Sequence, residues 1–178
     1  STITIKNGKI TTPDETGAKI LIQNYSDLTL NDVDLVGGSA TGYVLSNNYG
    51  NTTLENGTTI TAVGDNVAFD VYYWPGNGYE SVTVEIASND VAITGRVEYA
   101  SDGGEGFATN AKLIIPADYE LTAPAGYKWV ALGEDKQVLE AITYVAQIGG
   151  VKYESLQEAV TAAESGQTIK LLANASGD

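Results

Sequence analysis

A chain of 178 residues with 43% hydrophobic side chains is long enough to bury one substantial core, with room for a small appendage. Its 23 acidic and 9 basic residues give a formal net charge of -14, and that negative potential repels phosphate backbones and anionic lipid headgroups. Composition therefore predicts no nucleic-acid partner and no membrane insertion, since no apolar run approaches the roughly 18 residues that span a bilayer. Cysteine and methionine are absent, which excludes disulfides and predicts a processed or excised segment.

An internal repeat of about 24 residues organises the first half of the chain. Segments that start at Thr4, Thr29 and Thr53 align at offsets of 25 and 24 residues, and a fourth copy starts 30 residues later at Thr83. A loop insertion of about five or six residues within residues 72–79 explains the longer offset, because insertions in a solenoid go to loops.

A second set of strands keeps the same register, since residues 20–25 match residues 44–49 at an offset of 24. Alternating apolar and polar residues within each unit predict short strands with one buried face, separated by Gly, Asn and Asp turns. A unit this short has no room for a crossover helix, so each strand is predicted to pair in parallel with its copy one turn on.

These patterns predict a mainly β fold, a right-handed parallel β-helix or solenoid, over residues 1–122. Stacked Ile, Leu and Val side chains fill its interior, and turn residues form ladders, with Asn24 above Asn48 and Asn7 near Asn56. An antiparallel β-sandwich is the rival fold, because short strands and Gly-rich turns fit it too. The constant offset favours the solenoid.

A small capping segment of β-hairpin, helix and strand is predicted after the solenoid. Residues 123–141 form a linker hairpin around a Gly-Glu-Asp turn, and residues 142–178 hold a second hairpin, a short helix and a final strand. Ser155 and Glu158 make a capping box, in which the Ser hydroxyl accepts from an early backbone amide and the Glu carboxylate returns to the cap. The helix is therefore predicted to begin there.

The C-terminal third resembles a known family. Residues 153–160 (YESLQEAV), followed by residues 166–172 (GQTIKLL), are similar to the segment that opens β-helix repeat domains in large Gram-positive cell-surface proteins of gut Firmicutes. Residues 124–130 (PAGYKWV) resemble the linker that closes such domains. The resemblance covers residues 120–172 specifically and residues 1–100 only as a repeat pattern. It implies an extracellular surface protein in which the short helix shields the open end of the β-helix that follows it.

That order of segments raises the question of what covers Ile3 and Ile5 at the first coil. One possibility is that the C-terminal helix folds back onto its own solenoid. Another is that it caps the next copy in a head-to-tail contact, which generates rings or filaments. A third is that the uncovered end results from excision. Self-association through the C-terminal helix is therefore one predicted partner interaction.

The residues that β-helix enzymes need are scarce in this sequence. Histidine is absent and Arg96 is the one arginine, so the usual acid–base combination for cleaving acidic polysaccharides is missing. The carboxylate pairs Asp32 with Asp34 and Asp102 with Glu105 are interpreted as solvated turn acids, with weak calcium ligation as the alternative. We therefore predict no enzyme activity, no catalytic residue, no metal site and no cofactor.

Aromatic side chains flank the inserted loop and form the candidate binding surface. Tyr72, Tyr73, Trp74 and Tyr79 are the residues concerned, and exposed rings of this kind stack on sugar faces or anchor a protein contact. Glycan and host protein are therefore the predicted ligands. The alternative is that Tyr72 or Trp74 packs inward against the coil.

Three functions remain open at this stage. The favoured one is a non-catalytic structural or adhesive module of a bacterial surface or secreted repeat protein, which places it outside the cell at the bacterial surface. The second is a self-assembling filament or a phage virion fibre or decoration subunit, which would place it in a virion. The least favoured is a carbohydrate-active β-helix, because histidine is absent and arginine is scarce.

Overall fold

The computed structural model describes residues 1–13, 17–74, 78–99 and 110–172. These residues contain sixteen strands and one helix. In chain order the elements are β1 (Thr2–Thr11), β2 (Ile20–Asn24), β3 (Asp27–Val36), β4 (Tyr43–Asn47), β5 (Gly50–Glu55), β6 (Thr59–Thr61), β7 (Val67–Val71), β8 (Val82–Ile86), β9 (Ala92–Thr94), β10 (Arg96–Tyr99), β11 (Ala111–Pro116), β12 (Tyr127–Leu132), β13 (Lys136–Ala141), β14 (Ala146–Ile148), β15 (Val151–Tyr153), α1 (Leu156–Ala162) and β16 (Lys170–Leu171).

Most of the chain forms a stacked parallel β-solenoid of about four turns, as the repeat predicted. One sheet stacks β1, β3, the pair β5 and β6, the pair β8 and β9, and β11, and a second sheet stacks β2, β4, β7 and β10. Every strand pair between successive coils is parallel. The antiparallel sandwich is therefore wrong for these residues.

Aliphatic ladders fill the space between the two sheets. Leu30 lies over Leu54, and Leu54 lies over Ile86, in three successive coils of the first sheet. All three are almost completely buried, and Phe69 of the second sheet has no exposed surface. Period-two alternation produces this arrangement, because it sends every second side chain to the same face of a strand. The hydrophobic contribution, about 25 cal/mol per Å² of apolar surface buried, favours stacking further coils.

The register differs in detail from the sequence alignment. Thr4 pairs with Thr29, and Thr29 pairs with Thr53, as predicted. Thr53 pairs with Glu85 rather than with Thr83, so the insertion in the third coil is two residues longer than the alignment implied. A shift of two residues leaves the inward and outward faces unchanged, since side-chain direction in a strand repeats every two residues.

Asparagine and aspartate recur at the two corners for which ladders were predicted, and at the first corner the register is displaced from the prediction. Asn24 pairs with Asn47, not with Asn48, because the coils of the second sheet are offset by 23 residues there. At the other corner Asn7, Asp32 and Asn56 have φ angles of 52°, 55° and 50°. Asn and Asp tolerate this left-handed conformation better than other side chains, so the corner can bend the same way in successive coils.

A buried polar network ties neighbouring coils together beside Asn24 and Asn47. Asn24 Nδ2 donates to Thr52 Oγ1 at 2.9 Å, and Thr52 Oγ1 donates to Asn47 Oδ1 at 2.7 Å. All three residues are buried. A fully paired network of this kind specifies one register, because any slip would leave buried polar groups without partners.

The hairpin of β12 and β13 joins the last coil. β13 pairs antiparallel with β11, with Ile114 opposite Val138. Residues 129–139 accordingly belong to the same compact unit as the coils. The hairpin itself was predicted with its turn at the Gly-Glu-Asp sequence, and β12 ends at Leu132 while β13 begins at Lys136.

A second compact unit comprises residues 126–128 and those from residue 140 onward. In it β14 pairs antiparallel with β15 and with β16, and Ala146, Ile148 and Ala159 form a small core. The capping box is confirmed, with Ser155 Oγ accepting from the Glu158 amide and the Glu158 carboxylate accepting from the Ser155 amide. Within the described ranges no helix is long and apolar enough to cross a bilayer.

We expect Thr52→Val to lower the free energy of unfolding by about 1–3 kcal/mol, because it removes both the acceptor for Asn24 and the donor to Asn47 in a buried site. Thr53→Val is the matched control, since Thr53 lies on the opposite face of the same strand and is only half-buried. Urea denaturation of both variants measures the effect. Equal stability of the two variants would contradict the role of the buried network.

Candidate functional site

A ladder of tyrosine rings follows one corner of the solenoid, where each strand of the second sheet leads into the next coil. Tyr25 and Tyr49 have ring centroids 5.1 Å apart, and Tyr49 and Tyr79 stack at 5.2 Å with planes 22° apart. Gly50 follows Tyr49 with a φ of 83°, and a Cβ there would lie 2.5 Å from the Ser26 carbonyl oxygen. Glycine therefore lets neighbouring coils approach closely enough for the rings to stack.

An aromatic groove of about 800 Å³ lies along this corner. Tyr72 and Trp74 stack with centroids 6.4 Å apart, and 55% of Trp74 is exposed. Gln23 Nε2 donates to Asn48 Oδ1 at 3.5 Å and places two amides among the rings. The described residues that line the groove carry no formal charge at neutral pH and are Gln23, Tyr25, Asn48, Tyr49, Tyr72 and Trp74.

The four aromatic residues predicted for binding separate into two roles. Tyr72 and Trp74 line the groove. Tyr73 is buried, and its hydroxyl donates to the Tyr79 carbonyl at 3.0 Å, while the Tyr79 ring stacks on Tyr49. These two residues are therefore connected to the groove through Tyr49. The match of Tyr25 with Tyr49 in the repeat alignment was the signal that could have added both to the site.

An acidic cavity of about 320 Å³ adjoins the groove, and Tyr72 lines both. Asp70 of β7 and Glu98 of β10 are register partners on neighbouring parallel strands. The stacking of coils therefore places two carboxylates side by side, although they are far apart in the sequence. The remaining described residues of the wall are Tyr43, Val71 and Tyr99.

Asp70 is the buried charge of this cavity, with 8% of its surface exposed. Asn47 N donates to Oδ1 at 2.6 Å and Ser46 Oγ donates to Oδ2 at 3.0 Å. Burial raises the pKa of Asp70 to about 6, the two hydrogen bonds oppose that rise, and the nearby Glu98 carboxylate adds to it. The pH at which Asp70 changes charge is thus brought close to neutrality.

Glu98 has a partner on each of two sides. Tyr43 donates its hydroxyl proton to Glu98 Oε2 at 3.0 Å, and Arg96 forms an ion pair with Glu98 Oε1. Desolvation raises the pKa of Tyr43, and its bond to Glu98 raises that pKa further, so the phenol remains a donor. Sequence reasoning missed Asp70 and Glu98 because it searched for carboxylates close together along the chain.

The carboxylate pairs singled out from the sequence lie elsewhere. Asp32 and Asp34 lie in β3 and are exposed; Asp32 has a left-handed backbone, and Asp34 accepts from the Thr59 hydroxyl at 2.7 Å. Asp102 and Glu105 lie outside the described residues. In the part of the chain that the structure describes, no three or more His, Cys, Asp or Glu side chains converge as a metal site would require.

Comparison with known protein families, with characterised proteins and with solved structures finds no significant match for this chain.

Asp70→Asn is expected to change the pH dependence of stability. The folded-state pKa of about 6 exceeds the ordinary value of 3.8, so protonation favours the folded state, and this contribution is lost as pH rises through 6. Asn keeps the shape of the Asp70 side chain but carries no charge, so the variant does not lose this contribution. The free energy of unfolding of the variant, relative to that of the wild type, should therefore increase by about 1–3 kcal/mol between pH 4 and pH 7.5. Urea denaturation at several pH values measures this, with Asp34→Asn, at an exposed position of β3, as control. A difference that stays constant over this range would contradict the assignment.

Proposed function

We propose that this chain is a non-catalytic, adhesive module of a bacterial surface or secreted repeat protein, and that it binds a glycan along the aromatic groove. The observation that carries the proposal is the groove itself, which exposed Trp74 and half-buried Tyr72 line together with amide side chains. Ligand sites combine apolar and aromatic walls with a few oriented polar groups, and the groove has that composition.

The chemistry of the groove suits sugar rings. Aromatic faces pack against the C–H surfaces of a pyranose, while the Gln23 and Asn48 amides offer donors and acceptors to hydroxyl groups. A neutral or cationic glycan is favoured over an acidic one, because the net charge of -14 repels acidic polysaccharides. Rings and amides bind rather than cleave, which is consistent with a non-catalytic role for the groove.

The solenoid provides a stable support for such a surface. Each coil contacts its neighbours through a continuous ladder and a shared core, so equivalent corners repeat at fixed spacing. A location outside the cell, at the bacterial surface, is supported by the resemblance of residues 120–172 to segments of Gram-positive surface proteins. Adhesion through a repeated stack of rings is the role that combines these features.

Trp74→Ala is expected to abolish glycan binding, because it removes the most exposed ring of the groove. Affinity electrophoresis in gels that contain galactomannan, xyloglucan or hydroxyethyl cellulose measures the retardation of wild type and variant. Trp74→Phe should keep most of the retardation, because it keeps an aromatic face. Trp129→Phe is the matched control outside the groove, since the Trp129 indole donates to the Leu121 carbonyl at 2.7 Å. The proposal for these glycans would be overturned if none of the three polymers retarded the wild type, or if Trp129→Phe lost as much retardation as Trp74→Ala.

A second candidate function is a subunit that assembles head to tail with further copies of itself. The favouring observation is an apolar cleft of about 380 Å³ at the first coil, lined in part by Ile3, Ile5, Ile22 and Leu28. Among the described residues β1 pairs with β3 alone, which leaves its other edge open. In the second unit, α1 exposes Leu156 and Val160. A second copy could cover an apolar cleft with this helix face.

Light scattering at increasing protein concentration tests this assembly, with Ile5→Asp and Val160→Asp each placing a charge on one of the two surfaces. Under this function the wild-type mass rises above 18.7 kDa, each variant alone is monomeric, and an equimolar mixture of the two variants forms dimers through the one intact pair of surfaces. A wild-type mass that stays at the monomer value would reject assembly and leave the adhesive module.

A further inference from the structure

We propose that the acidic cavity beside the groove binds an organic ammonium group, and that an amino sugar of the bound glycan supplies it. The identity of the ligand as a sugar depends on the proposed glycan binding, whereas the ammonium chemistry follows from the cavity alone. The cavity is lined by Tyr43, Asp70, Val71, Tyr72, Glu98 and Tyr99.

The walls of the cavity match the requirements of an ammonium ion. Three tyrosine rings line it, and the face of an aromatic ring attracts a cation through its quadrupole. Two carboxylates, Asp70 and Glu98, lie on the same wall as register partners. Aromatic rings combined with carboxylates suit a bulky, weakly hydrated organic cation. Calcium takes six to eight oxygen ligands, and two carboxylates supply too few of them.

The charge of the cavity is unbalanced at Asp70. Arg96 pairs with Glu98, so these two residues neutralise one another. Asp70 accepts hydrogen bonds from two neutral donors, the backbone N–H of Asn47 and the Ser46 hydroxyl. Among the described residues it belongs to no ion pair. A buried carboxylate without a cation is costly, and its raised pKa expresses that cost. An ammonium ligand would supply the missing charge.

Continuity with the groove selects the source of the ammonium group. Tyr72 lines both the cavity and the groove, so a chain of sugars lying on Trp74 and Tyr72 reaches the cavity without a further surface. A sugar that bears a free amine would place its ammonium group beside Asp70. A lysine side chain of a protein has the same charged group, and the experiment below separates the two sources.

The decisive experiment compares a glucosamine hexamer with its fully N-acetylated counterpart by titration calorimetry at pH 6.5. The two oligosaccharides share a backbone, and only the first carries ammonium groups. We expect the wild type to bind the glucosamine hexamer about tenfold more tightly, as one cation bound by carboxylate and rings implies. Equal affinities for the two hexamers would overturn the inference while leaving glycan binding at the groove intact.

Isosteric variants test which residues make the discrimination. Asp70→Asn and Glu98→Gln should each remove most of the preference for the glucosamine hexamer and leave binding of the acetylated hexamer unchanged. Arg96→Gln should have the opposite effect and tighten glucosamine binding, because it removes the positive charge that opposes the ligand. Trp74→Ala should weaken both hexamers equally. Preference retained in the Asp70 and Glu98 variants would overturn the assignment of the cavity.

Tetramethylammonium provides a probe whose charge does not change with pH. Its binding, followed by NMR shifts of the Ser46 and Asn47 amides, should be lost as pH falls through 6, where Asp70 becomes neutral. Among the described residues that line the cavity, the titratable groups besides Asp70 are Tyr43, Tyr72, Glu98 and Tyr99, and Arg96 pairs with Glu98. The same titration on Asp70→Asn should show no pH dependence. Wild-type binding that persists unchanged below pH 5 would contradict the role of Asp70.

Two further outcomes separate the ligand sources and the two proposals. Nα-acetyl-lysine amide keeps the side-chain ammonium group. If it binds as tightly as the glucosamine hexamer, and independently of Trp74, the source of the ammonium group is a protein lysine and not an amino sugar. Tetramethylammonium binding without any retention on polysaccharide would overturn the proposed function and the sugar assignment together, but not the ammonium site. Shortening of the glucosamine hexamer during incubation would contradict the proposal that the chain binds glycan without cleaving it.

Discussion

The parallel backbone ladder between successive coils is the constraint on which the rest of this structure depends. It holds neighbouring coils about 4.8 Å apart and allows each residue one partner in the coil below. Like side chains therefore stack on like, as Leu30 does on Leu54 and Tyr49 on Tyr79. The same spacing suits aliphatic packing, amide hydrogen bonds and ring stacking, so all three types of ladder strengthen a single register.

The ladder also explains how a charged cavity forms in a structure built for apolar stacking. Ser46, Asp70 and Glu98 occupy consecutive coils of the second sheet, and the backbone of β4 donates directly to the Asp70 carboxylate. Rigid neighbouring strands hold the carboxylate in place despite the energetic cost of its burial. A site held this way is preorganised, so a ligand that supplies the missing charge need not reorganise the protein.

The insertion in the third coil joins the two halves of the site. Tyr72 and Trp74 follow β7, the strand that carries Asp70. The same segment therefore contributes both residues to the groove and Tyr72 to the lining of the cavity. Tyr73 and Tyr79 fix this segment to the corner through a hydrogen bond and a stacked ring. The groove and the cavity thus share a wall that is anchored to a regular scaffold, as is common for binding sites.

Sequence by itself determined the repeat, the parallel stacking and the capped helix at Ser155, because period-two alternation, a constant offset and a capping box are local signals. It grouped Trp74 and Tyr72 beside an insertion, and both line the aromatic groove. It could not determine the register of the third and fourth coils, since a two-residue slip preserves the alternation. Only the tertiary structure brought Asp70 to Glu98 and Tyr49 to Tyr79, because these neighbours are set by the length of each coil, and the length of an insertion leaves no local pattern.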